Sequence, residues 1–372
     1  MESVRTFLQL PNDAPTGKGI RVGVIDTGID YEHPDLRAAV DRKRSTYCMV
    51  TADELAFGSG DYMDRHGHGT QVAGAIAGSG AASDGQYRGI APDASLVALK
   101  IAESERGGFP GYVRSALYAA REQGVQIINL SFMGTGPTNG NVEIAPPWVW
   151  PRDDRLAQEL KQIAAENRVL CIMAAGNSGK HGEGTMGRYT GAEEVLAVGA
   201  CDCDGAHCDF SSMGPYYVDP AGKGPTTLRP QDRLRANLGC MKPDFVVPGA
   251  SMVVPFASGG NRRKNAKKNA AFLNTPYWPT QGTSLAAAIA TGLAACALEK
   301  LLAGPRMPSD NIGLLLRELL RAAAGEEAMR DTQRYGAGIL RWPAIDRQIT
   351  RFHTDYLFPS KLLRADDTSL MV

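Results

Sequence analysis

Val22-Gly23-Val24-Ile25-Asp26-Thr27-Gly28 is an apolar, β-branched run that stops at a carboxylate followed closely by glycine. A run this short reads as a buried strand whose end presents Asp26. An ionised carboxylate in that position is costly unless a cation or hydrogen-bond donors meet it. Outward from this stretch the pattern repeats: short apolar runs at 20–25, 96–101, 126–130, 168–173 and 195–198 alternate with helical patterns that begin near Thr70, Gly111, Asp153, Ser284 and Ser309. Strands alternating with helices imply βαβ units with right-handed crossovers. The expected fold is therefore α/β, a doubly wound, mainly parallel sheet with helices on both faces. In such sheets the functional crevice lies beyond the carboxyl ends of the strands, where Asp26 stands.

Composition narrows the function. The 372 residues carry 40 Lys+Arg and 40 Asp+Glu, a formal net charge of zero, which removes any composition-level argument for nucleic acid or a membrane surface as partner. Hydrophobic residues at 43% and charged residues at 22% are ordinary for a chain that folds around a large core. No apolar run is expected to approach the roughly 18 residues needed to span a bilayer, and the first residues lack the basic and long apolar segments of a secretory signal. Seven cysteines, an odd number with Cys171 and Cys296 inside apolar runs, favour a reducing compartment, hence a cytoplasmic location. The alternative is the mature domain of a secreted protein whose targeting segment is absent.

Two further places pair a reactive side chain with glycine. His66-Gly67-His68-Gly69-Thr70-Gln71-Val72-Ala73-Gly74 sets an imidazole at the mouth of a small-residue helix, and Gln281-Gly282-Thr283-Ser284-Leu285-Ala286-Ala287-Ala288 sets a hydroxyl where helix N–H groups and dipole favour developing negative charge. Each feature alone has an ordinary reading: a turn carboxylate, a surface histidine, a helix N-cap.

Together, in the order Asp, His, Ser, the three motifs resemble the subtilisin-like serine proteases (the subtilase family). The resemblance runs from about Gly19 to about Leu340. It takes in His33-Pro34-Asp35-Leu36, Arg88-Gly89-Ile90-Ala91-Pro92, Asn129-Leu130-Ser131, Ala174-Ala175-Gly176-Asn177, Phe210-Ser211-Ser212, the stretch at 242–249 and Tyr335-Gly336-Ala337-Gly338. It implies a peptide-bond hydrolase with Asp26, His68 and Ser284 as catalytic triad and Asn177 as side-chain donor to the oxyanion. His68 is chosen over His66 because Gly-Thr-x-Val-Ala-Gly follows it directly. Two departures stand out: Ala288 occupies a position where the family usually has proline, and Gln71 stands where many members carry a second histidine. A lipase reading fails, because Gly-x-Ser-x-Gly is absent around Ser284. A non-catalytic scaffold is opposed by the intact triad.

The resemblance also sets expectations for substrate, cofactor and partners. A polypeptide substrate would pair with backbone near Ser131, Phe132, Met133 and Gly134 and lie against Ala174, Ala175 and Gly176. Arg188 falls near the base of the primary pocket; pointing inward it would favour acidic side chains, pointing outward it would be solvated. No cofactor is required for the chemistry. Structural calcium is expected at Asp35, with oxygen donors from the loop 78–88. The spacing Cys201-x-Cys203-x4-Cys208 does not match zinc ligands, and in the family this segment is a surface loop, so solvent-facing thiols are expected. No nucleic acid or membrane partner is implied. Residues 1–18 form an N-terminal extension, either able to cover the cleft or an ordinary disordered end. Residues 19–345 form the peptidase domain, with insertions near 134–151, 213–242 and 257–280, and residues 346–372 a C-terminal extension.

Overall fold

The computed structural model describes residues 1–48, 61–103, 110–131, 155–166, 168–187, 189–192, 194–214, 216–217, 239–240, 242–260, 269–306 and 311–355. In chain order the strands are β1 (Arg21–Asp26), β2 (Thr46–Tyr47), β3 (Ser95–Lys100), β4 (Ile127–Leu130), β5 (Leu170–Ala174), β6 (Val195–Cys201), β7 (Tyr216–Tyr217), β8 (Gly239–Cys240), β9 (Phe245–Pro248), β10 (Met252–Pro255) and β11 (Tyr277–Thr280). The helices are α1 (Glu2–Phe7), α2 (His68–Ala77), α3 (Pro110–Glu122), α4 (Arg155–Glu166), α5 (Thr283–Ala303), α6 (Ile312–Gly325), α7 (Thr332–Tyr335) and α8 (Trp342–Thr354).

Seven strands form one parallel sheet in the order β2-β3-β1-β4-β5-β6-β9. The order reverses at β1, so the crevice outside the carboxyl ends of β1 and its neighbours is a topological switch point. Successive side chains leave opposite faces of the sheet. Val22, Val24, Leu96 and Ala98 accordingly join the core beneath α2, α5, α6 and α8, while Ile25, Val97 and Leu99 join a second core beneath α3 and α4. This is the doubly wound α/β architecture expected.

Helix α5 is apolar all round, as a helix enclosed by protein should be. It is long and apolar enough to cross a membrane by length and composition, which corrects the expectation that no run approaches that length, yet 83% of its apolar window is buried inside the protein. Its alanines let it lie close to β4, β5, β6 and β9 and against α2. The helices that bring His68 and Ser284 to the site therefore pack directly on each other.

Three expectations change. Residues 1–10 are not a loose end: Val4 of α1 and its C-cap Leu8 are buried in the main core, and Trp342 N donates to Leu8 O at 3.0 Å. The boundary expected at 345/346 falls within α8, whose Ile345, Ile349 and Phe352 belong to that core. The stretch 257–280, read as a loop insertion, ends in β11, which pairs antiparallel with β10 and leads directly to Ser284. Most of the other two expected insertions, 134–151 and 213–242, lies outside the described residues.

Candidate active site

Asp26 ends β1 with its carboxylate fully buried, and His68 is the first residue of α2. The imidazole Nδ1 lies 2.8 Å from Asp26 Oδ1 and 3.0 Å from Oδ2, and Thr27 N donates to Oδ1 at 2.7 Å. The donors demanded by a buried strand-end carboxylate are thus present. The approach depends on glycine twice. Gly67, the α2 N-cap, has φ 110°, a left-handed conformation that side chains resist. A Cβ on Gly69 would stand 2.0 Å from the Gly28 carbonyl oxygen, so only glycine lets α2 come this near to β1.

Ser284 is the second residue of α5 and 8% exposed; its hydroxyl donates to Ser131 O at 3.2 Å. The Ser131 hydroxyl in turn lies 2.8 Å from Asn129 Oδ1 and 3.1 Å from Ser284 O, tying the end of β4 to the start of α5. Asn177, just beyond β5, uses its Oδ1 to accept from Thr283 N at 2.9 Å and from Thr283 Oγ1 at 3.0 Å. Because Oδ1 faces those donors, the amide Nδ2 is the atom left for a ligand. Thr283 Oγ1 also accepts from Gly176 N at 3.1 Å, so one threonine locks the β5 loop onto the helix that carries Ser284.

These side chains converge on one cleft of about 300 Å³, lined by His68, Gln71, Ser131, Ala174, Gly176, Asn177 and residues 280–285. Asp26 stands behind His68, out of the cleft. Ala175 is fully buried and packs with Met186 and Ala197, so it backs the wall instead of lining it. Phe132, Met133, Gly134 and Arg188 lie outside the described residues. Three residues that hold the site together had gone unread in the sequence: Thr283, Thr27 and Asp64, the last a buried carboxylate four residues before His68. An acidic residue shortly before a helix start is the signal that could have found Asp64.

The residues about Asp35 do not fit calcium. Its Oδ1 accepts from Ala82 N and its Oδ2 from the Tyr277 hydroxyl, both at 2.9 Å. The loop 78–88 thus turns an N–H toward the carboxylate, whereas calcium takes oxygen ligands. Burial, with the neighbouring Asp35 charge adding to it, pushes the Tyr277 hydroxyl well above the usual phenol range, so it remains a donor. Among the described residues no group of three His, Cys, Asp or Glu side chains is placed to hold a metal. Nor are the thiols of the 201–208 turn all solvent-facing: Cys201 and Cys208 are buried and only Cys203 is partly exposed. Burial raises all three, Cys208 to about 11.

A parallel α/β sheet whose switch-point crevice gathers a carboxylate-backed histidine, a helix-start serine and an asparagine amide defines a subtilisin-like protein. Residues 17–338 match the subtilase family model, and the chain belongs to that family. It is 29% identical over 331 residues to serine protease AprX of Bacillus subtilis (strain 168), covering 87% of this chain and 65% of that protein. It is 31% identical over 262 residues to an intracellular serine protease of Paenibacillus polymyxa, covering 69% of each. In fold it resembles the S41 psychrophilic protease (TM-score 0.64, 23% identity, 91% of this chain and 97% of the other). It likewise resembles a lanthipeptide protease (TM-score 0.61, 20% identity, 94% and 95%).

Proposed function

We propose that this chain is a serine endopeptidase that cuts peptide bonds in proteins or precursor peptides through an acyl-enzyme, with Asp26, His68 and Ser284 as triad. The observation that carries the reading is the double approach of His68 Nδ1 to the Asp26 carboxylate in the cleft that also holds Ser284 and Asn177. With Nδ1 committed to Asp26, Nε2 is the nitrogen that serves as base. Substrate binding draws the Ser284 hydroxyl from the Ser131 carbonyl toward Nε2, since catalytic hydrogen bonds often close only in the complex.

Oγ of Ser284 then attacks the scissile carbonyl carbon while its proton passes to Nε2. Asp26 holds the tautomer and stabilises the imidazolium. The oxyanion receives the Ser284 backbone N–H and the Asn177 amide Nδ2. Collapse expels the amine, which takes the proton from Nε2, and water repeats the cycle in reverse to free the acid. The substrate strand lies along Ser131 and across Ala174 and Gly176, with Ala175 backing that wall. The sheet and the helices packed on it, α1 and α8 included, act as one peptidase domain, without a cofactor in the chemical steps.

Labelling with a fluorophosphonate probe tests the assignment. Wild type should be modified at one site, and Ser284→Ala should not react. Retained labelling of the variant would remove Ser284 as nucleophile.

A further inference from the structure

Behind the His68–Asp26 pair lies a second carboxylate that takes no part in the steps above. Asp64 is 1% exposed, and among the described residues no cation pairs with it. Five donors surround it instead. Oδ1 accepts from Thr27 Oγ1 at 3.0 Å, His66 N at 2.9 Å and Gly67 N at 2.8 Å; Oδ2 accepts from Thr70 N at 2.9 Å and Thr70 Oγ1 at 2.7 Å. A buried charge held only by dipoles demands that every donor stay in place.

These donors come from both halves of the catalytic pair. Thr27 follows Asp26, and its N–H donates to the Asp26 carboxylate at 2.7 Å. The same Thr27 hydroxyl that donates to Asp64 accepts from Gly69 N at 3.0 Å, one residue past His68. Gly67 and Thr70 bracket His68 on α2. From the other side Lys100, fully buried at the end of β3 beside Asp26, donates through Nζ to Met63 O at 2.7 Å and so grips the segment that carries Asp64.

Resting on the triad reading above, we propose that Asp64 is a positioning residue: it clamps the strand end of Asp26 and the helix start of His68 to one acceptor, fixing the imidazole at its carboxylate. It does not touch substrate. The chemistry of the clamp is specific to a carboxylate, because every contact is a donor. An amide at this position would turn an N–H₂ against either the Thr70 pair or the Thr27, His66 and Gly67 set.

The test is Asp64→Asn, assayed per active site by titration. Loss of the outer partner that orients a metal-bound histidine costs about 10- to 100-fold; a loss of that order is expected here in kcat, with KM within about twofold. Because Asp26 stabilises the imidazolium, a loosened pair lowers the proton affinity of His68, so the acid limb of kcat/KM should move to lower pH. Thr27→Val removes the bridge without touching the carboxylate, so the question stays open to test if Asp64→Asn fails to fold. It should lose about tenfold or more in kcat, and Thr27→Ser should restore most of that loss. The Asp64→Asn/Thr27→Val double variant should lose less than the product of the singles, as coupled sites do. A folded Asp64→Asn, or a Thr27→Val, with wild-type kcat and an unmoved pH profile would overturn the inference. Ser284→Ala keeps the two failures apart: if it still reacts with the phosphonate the triad reading fails, whereas loss of labelling there with wild-type behaviour of Asp64→Asn sinks the clamp alone.

Discussion

At the scale of single residues, the site works by leaving particular atoms unspent. Asn177 commits its oxygen to Thr283 and keeps its nitrogen for the cleft. Asn177→Ala should therefore lower kcat by about 10²- to 10³-fold with little change in KM, a magnitude carried over from subtilisin itself rather than from this geometry. Steady-state kinetics on a chromogenic peptide checks it; a loss mainly in KM would mean the amide binds ground state and transition state alike. Asp26, His68, Ser284 and Asn177 stand out in the sequence because each lies within two residues of a glycine near a strand end or helix start, where side-chain chemistry and backbone geometry constrain the sequence together. Asp64 carries only the weaker signal of an acidic residue before a helix start; its role comes from five donors converging on it, and one letter does not announce convergence. Asp35 misled for the same reason. Its identity fits a metal ligand, but its partner Tyr277 lies 242 positions away.

Elements carry the next level of constraint. The turn that includes Ala81–Ser83 and the strand β11 meet over Asp35, and the hydroxyl of Tyr277 closes the contact. The protein should thus hold this corner without calcium: chelation with EDTA should leave the thermal midpoint unchanged through this site. Tyr277→Phe, which strands a buried carboxylate oxygen, should cost about 1–3 kcal/mol. Differential scanning calorimetry with and without chelator measures both, and a large drop on chelation in wild type would restore a metal to the region. The same corner shows why β11 escaped the sequence reading. Tyr277-Trp278-Pro279-Thr280 follows a polar, basic stretch and contains proline, so local pattern argued for loop. Its strand character comes from pairing with β10. By contrast β1 and β3 to β6 are long enough and buried enough on both faces to declare themselves as apolar runs.

For the whole molecule, the ends of the described chain close on each other. The C-terminal end of α1 meets the start of α8, where the N-cap Arg341 stacks its guanidinium 4.1 Å from the Phe7 ring centroid and donates to Phe7 O. This packing is hard to see in sequence because α1 is short and α8 is only half apolar, and each buries its apolar side in the main core. Two histidines sit in these outer layers: His207 against Tyr335 of α7, and His353 on α8 against Gly304. Burial first, then the neighbouring cations Arg334 and Arg306 respectively, lower both below their ordinary value of 6.5; Asp331 and Asp209 oppose the shift at His207. Well above 6.5 both groups are neutral whether the chain is folded or not, and they contribute no pH dependence there. Below it the unfolded chain takes up protons that the folded one still refuses, so stability falls with pH through the window between the lowered values and 6.5. The loss levels off once the folded histidines also protonate. Urea unfolding at about pH 7.5 and about pH 5.5 should therefore show a smaller drop for the double variant His207→Gln/His353→Gln than for wild type. An equal drop in both proteins would assign the acid sensitivity to other groups.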